Sequence, residues 1–158
     1  MPLRAVVIDE RTLQRGSQAQ LIEWEANIRE LLAAGQSNIE EDATLRVSVT
    51  EQRFMLNLCT EDGRELGAVA IPHELLSEHI TEYVDIVRQI SHADGINQME
   101  ALDMAKKVTH DRAGRVLKRE LRDWGFDLDT SRHLFTLLLS LRVDTTKITG
   151  IYGHRTIR

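Results

Sequence analysis

The chain has little that would hold it together covalently. Of its 158 residues, Cys59 is the single cysteine, so no intrachain disulfide can form and no cysteine cage for a metal is available. There are two prolines, and aromatic residues make up 4% of the chain, which leaves few rings for stacking nucleic-acid bases. No run of 18 apolar residues occurs, which excludes a simple membrane-spanning helix. The apolar stretch Leu3 to Ile8 meets Asp9 and Glu10 at once and is too short for a secretory signal. These absences point to a cytoplasmic protein without cofactor. The six histidines form no His-x-His or His-Glu-x-x-His pattern, so no metal site is expected. Phosphate-loop, nucleophile-elbow and dinucleotide-binding glycine patterns are missing too.

What is present is ordinary material for one core. Hydrophobic residues are 42% and charged residues 28%, the balance of a globular domain. The net charge of −5 conceals two blocks. Between 74 and 103 lie seven acids and one base, Arg88; between 106 and 122 lie seven bases against Asp111 and Glu120. Such blocks pair within a fold, pair between subunits or meet a charged partner.

Periodicity gives the elements. Residues 3–8 read as an opening strand. Leu21, Ile22, Ala26, Ile28, Leu31 and Leu32 recur at helical spacing between Ser17, a cap, and Gly35, a stop, so a helix is expected over 17–34. Alternation then predicts strands at 44–50, 53–60 and 65–71, with Asp62-Gly63 as a hairpin turn. Cys59 is read as a small core residue in the second of these. After Pro72 the period returns to 3.6, predicting helices over 73–91 and from Asn97 to Trp124. Asn97 and Glu100 are read as a capping box, and Gly114 as a weak point within the second helix. Gly125 ends that helix, and Asp127 or Asp129 caps a last one, 130–142, apolar around most of its girth. The fold class is α+β: a small antiparallel sheet of about four strands with helices on one face, in the order β-α-β-β-β-α-α-α. Residues 1–142 form one domain. The tail 143–158 is a flexible arm or carries an edge strand at 147–152. The girth of helix 130–142 predicts a homodimer, since one small domain buries such a helix only centrally or against a copy of itself.

Two segments carry a resemblance. Met99-Glu100-Ala101-Leu102-Asp103-Met104-Ala105-Lys106-Lys107-Val108-Thr109-His110-Asp111 and Asp127-Leu128-Asp129-Thr130-Ser131-Arg132-His133-Leu134-Phe135-Thr136-Leu137 resemble the bacterial uncharacterised family UPF0262. Val7-Ile8-Asp9-Glu10 matches more loosely, and the resemblance covers about 4–142. Lys106 and Lys107 stand where the family pattern has paired arginines, and His133 where it has a second arginine. Arginine and lysine differ in how they hold carboxylates, so a role that needs a guanidinium does not transfer to those positions. The resemblance implies a shared fold and a bacterial cytosolic setting, and no activity.

On a helical wheel Glu100, Asp103, Lys107 and His110 fall with Gly114 and Lys118 within about 80° of one another. This face, joined by Arg132, is the candidate functional face. A carboxylate, an ammonium and an imidazole one turn apart can hold a ligand or move a proton. The bland alternative is a set of surface ion pairs, Asp103 with Lys107 and Lys107 with Asp111. Arg132 lies in the first turn of its helix, where the dipole disfavours a cation, so it needs a partner: a ligand anion, or Asp103 or Glu100. Three functions remain open at this level. The first is a non-catalytic protein–protein interaction or adaptor module. The second is a small enzyme or anionic-metabolite-binding protein using the Asp/Lys/His cluster and Arg132. The third and weakest is nucleic-acid binding through the basic helix 106–122, opposed by the acidic balance and the scarcity of rings.

Overall fold

The structure is a computed structural model that describes residues 3–35 and 41–148. Four strands, β1 (Leu3–Ile8), β2 (Ala43–Val49), β3 (Arg53–Thr60) and β4 (Glu65–Pro72), form one sheet in sequential order. The helices are α1 (Glu10–Gln14), α2 (Gln18–Ala34), α3 (His73–Ser91), α4 (Ile96–Glu120) and α5 (Leu128–Arg142), with short 3-10 turns at Arg122–Trp124 and Thr145–Lys147. The α+β class and the order of the main elements agree with the sequence reading. The sheet corrects it in one respect: β1 pairs with β2 in parallel, so the sheet is mixed. The reason is the connection. A hairpin reverses the chain, whereas the long crossover through α1 and α2 returns it to run beside β1 in the same direction.

Alternation places one face of the sheet in the core. Leu45, Val47, Phe54, Leu56, Leu58 and Ile71 are buried, while Arg46, Met55, Asn57 and Cys59 lie on the other face, at least partly open. Cys59 is therefore not a core residue: it stands in register with Thr44 and Glu65 on the uncovered face. The helices cover the opposite side. Their neighbour contacts run α3 to α4, α4 to α5 and α5 to α2.

This order explains the apolar girth of α5. Leu134, Phe135, Leu137 and Leu138 are fully buried between α4 on one flank and α2 on the other. The helix that motivated a dimer is thus core of the single chain. Its distant neighbours also bind it by polar contacts. Trp24 Nε1 donates to the Ser140 carbonyl at 2.9 Å, and Asn27 Nδ2 donates to Ser140 Oγ at 3.0 Å. Thr130 Oγ1 donates to the carbonyl of Ala34 at the end of α2.

The caps follow the sequence with one exception. Ser17 and Gln20 make a reciprocal capping box, and Asp127, of the two acids proposed, accepts from the Thr130 amide. Asn97 caps nothing. Helix α4 begins one residue earlier, after Gly95 in a positive-φ conformation, and no side chain closes its N-terminus. The start of the tail turns back on the core, with Thr145 and Ile148 buried. The rest of the expected edge strand, 149–152, lies outside the described residues.

Candidate functional site

Helix α4 is 25 residues long, and its two halves differ. From Thr109 onward Thr109, Ala113, Gly114 and Leu117 are buried against α3 and α5. From Ile96 to Val108 no residue is buried. Within that half Ile96, Met104 and Val108 are exposed apolar side chains.

Gly114 marks where α4 and α5 come closest. A Cβ there would lie 2.7 Å from Arg132 Cγ and 3.3 Å from both the Arg132 amide nitrogen and Leu128 Cδ1. The residue read as a weak point is a close-approach glycine that lets the Arg132 side chain lie flat across α4. In Gly114→Ala the helix gains about 1 kcal/mol of propensity but meets an overpacking cost of about 1–3 kcal/mol. The variant is expected to be less stable by about 1 kcal/mol net. Because the nearest atom is Arg132 Cγ, Arg132→Ala in the same chain removes most of that loss. A double-mutant cycle by urea denaturation measures the coupling, and purely additive losses would exclude the contact.

From Gly114 the guanidinium reaches Asp111. Arg132 Nε lies 3.0 Å from Asp111 Oδ1, near enough for strong attraction but too oblique for an aligned hydrogen bond. Asp129 is a second, longer partner at 4.0 Å. Arg132 is thus paired, as its place in the first turn of α5 requires, but with Asp111 rather than with Asp103 or Glu100.

His110 sits beneath this pair. Its ring packs against Tyr83 and Phe135, with centroids at 5.7 and 5.8 Å. Nε2 lies 2.9 Å from both the Arg132 carbonyl and Thr136 Oγ1. A carbonyl only accepts, so Nε2 carries the proton and Nδ1 keeps its lone pair. Burial above all brings the imidazole pKa down to about 4; the hydrogen-bonded Arg132 carbonyl and Asp111 oppose the shift, and the nearby charges of Arg132 and His133 add to it. His110 is neutral at pH 7. A base of that strength drives proton abstraction weakly at neutral pH, and its other nitrogen is already bonded.

The five residues singled out in the sequence do come together. Glu100, Asp103, Lys107, His110 and Arg132, with Met104 and Lys106, line one open concavity of about 590 Å³. The surface ion pairs expected there do not form. Asp111 is taken by Arg132, and Glu100, Asp103 and Lys107 make no ion pair or hydrogen bond among the described residues. Sequence reasoning missed Met104, which lies outside the core stripe and outside the charged set. It missed Asp111 as the partner of Arg132 because that pairing crosses between helices. No group of three or more histidine, cysteine or acidic side chains able to hold a metal occurs among the described residues. No helix among them is long and apolar enough to cross a membrane.

Residues 2–144 match the family model described as an uncharacterised protein family, UPF0262. The chain is 30% identical over 105 residues to the UPF0262 protein of Paracoccus denitrificans, covering 61% of this chain and 62% of that protein. It is 29% identical over 103 residues to the UPF0262 protein of a Jannaschia species, covering 61% of this chain and 65% of that one. A Methylobacterium radiotolerans UPF0262 protein is 27% identical over 146 residues, covering 88% and 91%. The first two alignments thus span less than two thirds of those relatives. No solved structure matches the chain. With a family match that runs through both helices lining the concavity, the chain belongs to the uncharacterised protein family UPF0262.

Proposed function

We propose that this protein is a non-catalytic, cytoplasmic interaction module that docks a protein partner on the uncovered half of α4. The observation that carries this reading is the lack of any buried residue from Ile96 to Val108. Short helices are marginal in water without a face to pack, yet this half keeps exposed Ile96, Met104 and Val108 beside Glu100, Asp103 and Lys107, which make no ion pair among the described residues. Apolar residues ringed by charge are the composition of a docking surface, whose centre excludes water while the rim sets register. The state of His110 argues against acid–base chemistry. The cytoplasmic setting rests on the single cysteine and the bacterial relatives.

The concavity itself favours a second reading, a small charged metabolite held by Lys107 and Arg132. Its volume lies in the range of ligand pockets, roughly 300–1,000 Å³. One experiment separates the two. A photoreactive amino acid is placed at Met104, and a control at Ile22, an exposed apolar residue of α2. In native cells, the Met104 probe is expected to yield a discrete heavier adduct and the Ile22 probe none. No adduct at Met104, with a small dicarboxylate shifting the His110 NMR signals, would replace the docking reading by the metabolite reading.

A further inference from the structure

The uncovered half of α4 has a symmetry of charge that selects its occupant. Residues 96–108 extend about 20 Å at the rise of an α-helix. On the outward side, Met104 lies near the centre, Val108 and Ala101 to one side of it, and Glu100 and Lys107 to the other. Glu100 and Lys107 are seven residues apart, two helical turns, and both are exposed without an ion pair among the described residues. The acids of the face are Glu100, Asp103 and Asp111, and its bases Lys106, Lys107 and Arg132, so its formal charge is zero. A face neutral in sum, with opposite charges spaced evenly about an apolar centre, is complementary to itself turned end for end.

We infer that the partner docked on α4 is a second copy of this chain, packed antiparallel through Glu100, Met104 and Lys107 about a two-fold axis beside Met104. This rests on the interaction reading above and names its partner. A two-fold contact is self-complementary by construction: whatever one copy offers, the other receives. With the axis between Asp103 and Met104, Glu100 of each copy stands opposite Lys107 of the other, giving two equivalent ion pairs. The same lysine reaches toward Asp103, one turn away. The two Met104 side chains meet at the axis, and Val108 packs over the small Ala101 of the opposite copy. Each of these side chains is solvent-exposed in the single chain. The surface differs from α5, which the chain buries for itself.

Charge exchange tests it directly. Glu100→Lys sets like charges opposite one another twice, and so does Lys107→Glu. The double variant restores opposite charges in exchanged places. Light scattering after size exclusion is expected to give twice the 18.0 kDa chain mass for the unaltered protein. Each single variant is expected to weaken dimerisation roughly tenfold or more, about 1.4 kcal/mol, and the double variant to recover it within a few-fold. All four chains should keep the same circular dichroism, because the altered side chains are exposed and make no ion pair or hydrogen bond among the described residues. A monomeric unaltered protein, or a folded double variant that stays as weak as the singles, overturns the inference. The photocrosslink from Met104 separates the two levels. An adduct of twice the chain mass supports self-docking. An adduct of another mass sinks self-docking and leaves the interaction reading standing, and no adduct removes both.

Discussion

Phe135→Ala is expected to cost about 3–5 kcal/mol, a large part of the roughly 5–15 kcal/mol that holds a domain of this size. Phe135 has no exposed surface and meets Tyr83 edge-on with centroids 6.0 Å apart. It belongs to a three-ring cluster with His110 that joins α3, α4 and α5. Truncation leaves a cavity where three helices converge, and the relaxation of any one of them disturbs the other two contacts. Urea denaturation should show a lower midpoint at unchanged slope. A second signature separates this site from other core truncations. Water entering the cavity weakens the desolvation that holds His110 near pKa 4, so its NMR titration should move up toward the ordinary 6.5. A loss under about 1 kcal/mol with an unmoved His110 would contradict the packing described.

The second large effect is acid destabilisation through His110 itself. Its folded pKa, about 4, lies below the unfolded value of 6.5. Between these two values the unfolded chain holds a proton that the folded chain does not, so lowering pH favours unfolding. The stabilisation of the neutral, buried imidazole is complete above pH 6.5. It is lost as pH falls toward 4, by about 3 kcal/mol in all. Carboxylates titrate in the lower part of this window, so the comparison is with His110→Gln, which has no proton to gain. The unaltered protein should be the more stable of the two at pH 7, and the gap should narrow steadily toward pH 4. A gap independent of pH would mean that the ring is not desolvated.

Much of the fold was legible in the sequence because its elements obey one period each. The stripe of 73–91 and the alternation of 53–60 returned elements at those bounds. What escaped was set by contacts across the chain. The short apolar run of β1 marks a strand but carries no direction, and only the long crossover to β2 bears on the parallel pair. A five-residue helix such as Glu10–Gln14 is too short to show a period. Asn97 and Glu100 have the spacing of a capping box, yet the backbone of Gly95 starts the helix first. For the candidate site the wheel placed Glu100, Asp103, Lys107 and His110 on one face, and these four line one hollow with Arg132 of α5, since positions three, four and seven apart share a face whatever surrounds them. It could not say that Asp111 leaves Lys107 for Arg132, because Arg132 comes from another helix over a glycine whose packing no single-helix pattern encodes.

The placement of α5 also orders events in time. It follows the other α-helices of the described residues in the chain, and it fills the space between α4 and α2. The Trp24–Ser140 bond joins positions 116 residues apart. The β2–β3–β4 meander and α3 can pair from neighbouring sequence as they emerge, but the sides of α2 and α4 that face α5 stay open until residues 128–142 have left the ribosome. Until then a nascent chain of this protein carries a partly unfilled core. Its folding should be limited by the docking of α5, a long-range step and so a slow one. Chains halted before Leu128 should aggregate or be degraded rather than wait.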